Sequence, residues 1–107
     1  MVAFVLAGLL VAQAPLSRAE TLKLVKDDLA HRLKIDVRDL EVVAESDETW
    51  PDSALGCSAR KPLDEPVRTP GFAFTLSYRD RSYVYHADRR GNIRRCDAAK
   101  PTAPIVR

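Results

Sequence analysis

Leu22, Val25, Leu29 and Leu33 recur at helical spacing, with Glu20, Lys23, Asp27 and Lys34 on the opposite side. This pattern predicts one amphipathic helix. Its start is marked by Ser17-Arg18-Ala19-Glu20, which has the form of a capping box: a serine oxygen for one orphan amide, a glutamate reaching back to another. The helix is therefore expected over about Arg18 to Leu33. From Asp39 to Glu45 the pattern changes to strict alternation, with Leu40, Val42 and Ala44 inward and the glutamates outward, as in a half-buried strand. Proline and glycine in Thr49-Trp50-Pro51-Asp52-Ser53-Ala54-Leu55-Gly56-Cys57 predict a packed loop rather than a regular element. Ser58 to Pro70, with Pro62, Pro66 and Pro70, reads as an extended excursion. Phe72–Tyr78, Ser82–Asp88 and Ile93–Cys96 then read as short strands joined by turns at Arg79-Asp80-Arg81 and Arg89-Arg90-Gly91-Asn92. One helix followed by about four antiparallel strands predicts an α+β domain, with the helix lying across one face of a small sheet.

The opening of the chain follows a different rule. Met1 through Ser17 carry no charge, and Val2 to Ala12 are apolar throughout, ahead of a densely charged body. A run of this length fits the apolar region of a signal peptide and falls short of the roughly twenty residues of a spanning helix. Residues 1–19 are thus expected to be an export signal, with cleavage after Ala14 or after Ala19. Pro15 disfavours the first site, whereas the second removes the serine of the capping box. No Lys or Arg precedes the apolar run, so the leader is atypical or starts further upstream; the competing reading is a buried or anchoring N-terminal helix. The remainder is expected to be a single domain over 20–97 with a disordered tail over 98–107, a periplasmic or secreted monomer with no stable membrane insertion.

A domain of this size has a marginal core, and exported domains this small often add covalent staples. Two cysteines are present, Cys57 and Cys96, and they allow one pairing. Closing that loop stabilises the fold by about 4 kcal/mol on chain entropy alone. A two-cysteine metal site is the weaker reading, because the short Cys-x-x-Cys spacing of zinc sites is missing. The net charge of +2 is too small to point to a polyanion. Acids nonetheless concentrate over Asp36–Asp52, with Arg38 the one base there, and six arginines concentrate over Arg79–Arg95. If these segments neighbour each other they would pair across the sheet; a nucleic-acid surface is not expected.

Trp50-Pro51-Asp52-Ser53-Ala54-Leu55-Gly56-Cys57, Pro70-Gly71-Phe72, Tyr83-Val84-Tyr85-His86-Ala87-Asp88 and Cys96 occur in that order behind the helix. The combination resembles a family of small exported bacterial proteins of uncharacterised function. Their pattern runs W-P-D-x-x-L-G-C, P-G-aromatic, Y-x-Y-H-x-D and a final cysteine. The resemblance implies the fold and the export and brings no activity with it; this chain departs from it mainly between Ala59 and Thr69.

Candidate chemistry is sparse. His86 and Asp88 share a strand face, and Asp52 could approach them, a set able to bind a divalent metal or to form a general-base pair. The structural alternative has His86 donating to a loop carbonyl and Asp52 accepting turn amides. Trp50 is either an aromatic anchor for a partner or the roof of the core beside the disulfide. Tyr83 and Tyr85 are candidates for a contact patch with nearby arginines. No nucleophilic triad and no phosphate-binding glycine loop is present. The expectation is a non-enzymatic binding or interaction domain without a cofactor, its partner an exported protein. An inhibitor of an exported hydrolase using the 58–70 loop, and a small metal-binding module using Asp52, His86 and Asp88, are the alternatives.

Overall fold

The computed structural model describes residues 14–51, 53–57 and 67–96. Helix α1 spans Arg18–Leu33, a single 3-10 turn covers Val37–Asp39, and strands β1 (Glu41–Trp50), β2 (Thr69–Tyr78), β3 (Arg81–Asp88) and β4 (Ile93–Arg95) follow. The strands form one antiparallel meander in the order β1-β2-β3-β4. The α+β class, the helix and the four strands are as the periodicity predicts.

The capping box forms as the sequence indicates. Ser17 Oγ accepts from the Glu20 amide at 3.1 Å, and Glu20 Oε1 accepts from the Ser17 amide at 2.8 Å. Lys34 closes the other end in the left-handed region, its N–H directed to the carbonyls of Ala30 and His31. The helix buries Thr21, Val25, Leu29 and Ala30. Leu22 and Leu33 flank this stripe only partly buried. Opposite lie Phe72, Phe74 and Leu76 of β2 with Tyr83, Tyr85 and Ala87 of β3, alternate residues that share one face of the sheet. Completely burying an aliphatic or aromatic side chain such as Leu29 or Phe74 contributes about 1.5–3 kcal/mol. Tyr85 crosses the layer: its ring is fully buried and its hydroxyl donates to Asp28 Oδ2 at 2.7 Å. Arg32 Nε donates to the same oxygen at 2.8 Å. Burial would by itself raise the Asp28 carboxyl, but the bonds from Tyr85 and Arg32 together hold it below its ordinary value.

Three sequence expectations are corrected. The first strand runs to Trp50 instead of ending at Glu45, and β2 begins at Thr69, so that Thr69 and Pro70 lie in the sheet rather than in the excursion. Pro70 occupies the second position of β2, where proline is tolerated. The register shifts between Val42 and Ala44. This bulge leaves Val43 60% exposed and reverses the parity of the strand beyond it. As a result Leu40 is buried and Val42 half-buried while Ala44 is exposed, and Glu45 and Asp47 come to the helix side. There they meet Arg18, at 3.2 and 2.9 Å. β2 separates the acidic β1 from β3 and β4, so the cross-strand pairing of these segments does not occur.

The folded body starts before Glu20. Leu16 donates its amide to the Arg89 carbonyl at 2.9 Å, and its side chain reaches over Gly91 in the β3–β4 turn. The apolar residues 1–13, the 58–66 part of the excursion and the segment from Asp97 lie outside the described residues.

Tyr85→Phe is expected to lower unfolding free energy by about 1.5 kcal/mol, since it removes a hydrogen bond to a charged group and leaves the ring in place. Ser17→Ala is expected to cost about 1 kcal/mol through loss of the cap. Urea titration of each variant beside the wild type checks both values.

Candidate functional site

The sheet face turned away from α1 carries Trp50, Ala73 and His86, one parity removed from the core residues. Trp50 and His86 stack with ring centroids 3.9 Å apart and planes 15° from parallel. The indole Nε1–H donates to the Ala87 carbonyl at 2.9 Å, and Trp50 retains 9% of its exposure. Its role as core roof is thereby occupied, and little of the indole faces solvent.

The turn Ser53–Gly56 closes over this stack. Leu55 and Gly56 are consecutive left-handed residues, at φ 59° and 73°. For leucine that conformation costs on the order of 1 kcal/mol. The reversal brings the Leu55 carbonyl to 2.7 Å from His86 Nδ1. Because a carbonyl only accepts, Nδ1 carries the proton and Nε2 keeps its lone pair. Gly56 is required twice, by its φ and because a Cβ would lie 3.0 Å from the indole Cε3. Directly after it Cys57 forms the disulfide with Cys96, their Cα atoms 5.2 Å apart, within the usual range for such bridges. Cys96 is held in place by its amide, which donates to the Val84 carbonyl at 2.7 Å and extends the β3–β4 ladder. Both sulfurs and a ring nitrogen of His86 lie within 4.8 Å of one another, all three residues half-buried.

Burial is the main influence on His86 and lowers its pKa, against the opposing effects of the Leu55 carbonyl and the Glu48 charge. The imidazole is neutral at neutral pH, stacked on one side and bonded at one nitrogen.

Of the residues singled out in the sequence, the structure brings Trp50, Cys57, His86 and Cys96 together and places Tyr83, Tyr85 and Asp88 elsewhere. Tyr83 and Tyr85 lie on the opposite, helix-covered face, 6% and 0% exposed, and offer no surface patch. Asp88 closes the β3–β4 turn. Its Oδ1 accepts from the amides of Arg90 and Asn92, and its Oδ2 accepts from Asn92 Nδ2 at 2.6 Å. Asp52 lies outside the described residues. The loop carbonyl that the structural alternative gives His86 as partner is that of Leu55; the Leu-Gly pair ahead of Cys57 is the signal that singles it out, since an isolated loop glycine marks a positive φ.

Beside the cluster a cleft of about 940 Å³ opens between the N-terminal arm, the 53–55 turn and the β3–β4 turn. Leu16, Leu55, Arg68, Arg89, Arg90 and Asn92 are among its lining residues. The guanidinium carbon of Arg89 sits 4.9 Å from the centre of the Phe72 ring. Arg89 Nε is buried and has no hydrogen-bond partner among the described residues. The acidic lining residue among those described, Asp88, has both oxygens committed to the turn.

The lowered His86 value fixes a pH dependence. A folded pKa below the unfolded 6.5 means that the unfolded chain binds the proton first, so stability is complete above 6.5 and is lost as pH falls toward the folded value. The Asp28 contribution is lost only below 3.8, outside this window. Urea unfolding followed by Trp50 fluorescence should therefore show lower stability near pH 5.5 than near pH 7.5, and His86→Gln should flatten that difference.

No curated protein and no solved structure matches the chain. A family model described as "Domain of unknown function (DUF8738)" matches residues 22–96, from the first turn of α1 to the second cysteine of the disulfide. The chain belongs to that family.

Proposed function

We propose that the protein is an exported, monomeric, non-enzymatic binding domain, periplasmic or secreted, whose cleft holds an acidic segment of a partner protein. The observation that carries this reading is Arg89. A buried guanidinium N–H with no acceptor among the described residues is an incomplete hydrogen bond, and the Arg89 side chain lines a cleft that Arg68 and Arg90 also line. A carboxylate satisfies it with a charge-assisted bond, and arginine is suited to bind both carboxylate oxygens at once. Binding rather than catalysis is favoured by the state of the titratable groups. His86 has Nδ1 committed to a carbonyl and its face to an indole, and the Asp88 carboxylate is committed to a turn.

Export is supported by the charge-free opening segment and by the paired cysteines, which persist in oxidising compartments. Among the described residues no helix is long and apolar enough to cross a membrane. Cleavage after Ala14 is the processing that keeps the fold whole. Cleavage after Ala19 would remove Leu16 with its bond to Arg89, the Ser17 cap and the Arg18 ion pairs.

Two measurements test these proposals. The intact mass of the protein recovered from the exported fraction should correspond to a chain starting at Pro15 and should gain two hydrogens on reduction; a chain starting at Glu20, or one with free thiols, contradicts the processing and export scheme. Titration of the folded domain with a Glu/Asp-rich peptide should move the backbone amide resonances of Arg68, Arg89, Arg90 and Asn92, and added salt should weaken the response. Arg89→Ala should abolish it. Unmoved resonances, or movement confined to the acidic β1 edge, would reject the cleft.

A further inference from the structure

The disulfide is not the only chemistry open to the cluster around His86. The geometry points to a latent metal site: once the Cys57–Cys96 bond is reduced, the two thiolates and the His86 imidazole form a three-ligand site for a soft divalent cation of the zinc type. This inference stands apart from the cleft and the export reading, and it draws on different residues.

Three observations carry it. Both sulfurs and a His86 ring nitrogen already lie within 4.8 Å of one another. A tetrahedral zinc ion, with bonds of about 2.3 Å to sulfur and 2.0–2.1 Å to nitrogen, places its donor atoms roughly 3.5–3.8 Å apart. The cluster is therefore near this spacing once the sulfurs are free to separate. The hydrogen bond from Nδ1 to the Leu55 carbonyl fixes the tautomer that leaves Nε2 as the donor, and a ring N–H given to a backbone carbonyl is the usual outer support of a metal-bound histidine. In the bridged chain the donors are placed by Cys57 behind the left-handed turn, His86 stacked against Trp50 and Cys96 at the end of the ladder, and in the reduced chain the bound cation replaces the sulfur–sulfur bond as the link that holds the turn against the sheet. Sulfur and imidazole donors select zinc-like ions over magnesium or calcium.

The chemistry balances with a dithiol as reductant. Two electrons and two protons pass from the dithiol to the bridge, the sulfur–sulfur bond breaks, and the dithiol closes into its own disulfide. The cation then displaces the two thiol protons, and water or an external ligand takes the fourth position. In the oxidised chain the sulfurs are bonded to each other and the site is closed. The same residues thus serve as a staple under oxidising conditions and as a metal trap under reducing ones. Such a site has no short Cys-x-x-Cys spacing, because ligands 39 positions apart in the chain are neighbours only in the fold.

The test uses the full domain, reduced with a phosphine or left oxidised, and zinc chloride as probe. Calorimetry should give one zinc per reduced chain and no binding to the oxidised chain. Cobalt(II) in place of zinc should give the visible absorption of a tetrahedral thiolate site. His86→Gln should weaken zinc binding at least tenfold, while Asp88→Asn should leave it unchanged. Circular dichroism and hydrogen exchange of the β2–β3 ladder establish that each reduced variant is folded. Should His86→Gln fail to fold, the ring nitrogen resonances of wild-type His86 answer in its place: Nε2 should shift on zinc addition. A reduced chain that takes up no zinc, zinc bound equally well without His86, an unmoved His86 ring, or one ion shared between two chains would each overturn the proposal.

Discussion

The Cys57–Cys96 bond is the constraint on which the rest of this small fold depends. One partner leaves an irregular turn, and the other ends a strand of only three residues. Cys57 is otherwise tied by its amide to the Ala54 carbonyl, and Cys96 by its amide to the Val84 carbonyl. Closing a loop of 39 residues stabilises the native state by about 4 kcal/mol by restricting the unfolded chain. Domains of this size are stable by roughly 5–15 kcal/mol, so the bridge supplies a large share of the whole. It also has a local consequence. By holding Cys57 against the sheet it keeps the turn closed over Trp50 and His86, and the Leu55 carbonyl in reach of the imidazole.

The sheet consequently has two occupied faces of different kinds. One is covered by α1 and holds the conventional core of Leu29, Val25, Phe72, Phe74 and Tyr85. The other is covered by a turn and a disulfide, with Trp50 filling the space that a second helix would otherwise take. The two faces communicate through Ala87. Its side chain packs in the core, while its carbonyl accepts from the indole on the far side. Gly71 permits this close approach, since a Cβ there would overlap the Ala87 carbonyl. The pieces of the Trp-Pro-Asp, Leu-Gly-Cys and Tyr-x-Tyr-His patterns that converge do so around this turn-covered face. Their tyrosines point the other way, and Asp88 is absorbed into a turn.

Much of this was legible in the residues. The helix limits follow from a capping box and a clear periodicity, and both are local signals. β3 and its turns follow from alternation and a glycine. The disulfide follows from having two cysteines. Alternation alone misplaces the far half of β1, because a single inserted residue, Val43, reverses inward and outward for everything after it. Pro51 points to a loop at Trp50, yet proline restricts its predecessor to extended conformations that also suit a strand end, where Trp50 lies. The partners of His86 and Asp88 were only partly visible. The distinction between a carbonyl contact, a turn and a ligand set depends on tertiary placement, and two residues of like spacing on one strand took different roles. The cleft around Arg89 had no sequence signature, since Leu16, Arg68 and Arg89 come together only through the meander.

The most direct test of the central claim replaces both cysteines with serine and follows hydrogen exchange residue by residue. The account predicts a loss of about 4 kcal/mol in global stability. It also predicts early exchange of the Cys57 and Cys96 amides and a solvent-exposed indole, while α1 and the β2–β3 ladder open last. Unchanged stability with Trp50 still buried and the turn still protected would show that the cluster stands without its bridge, and would contradict the account.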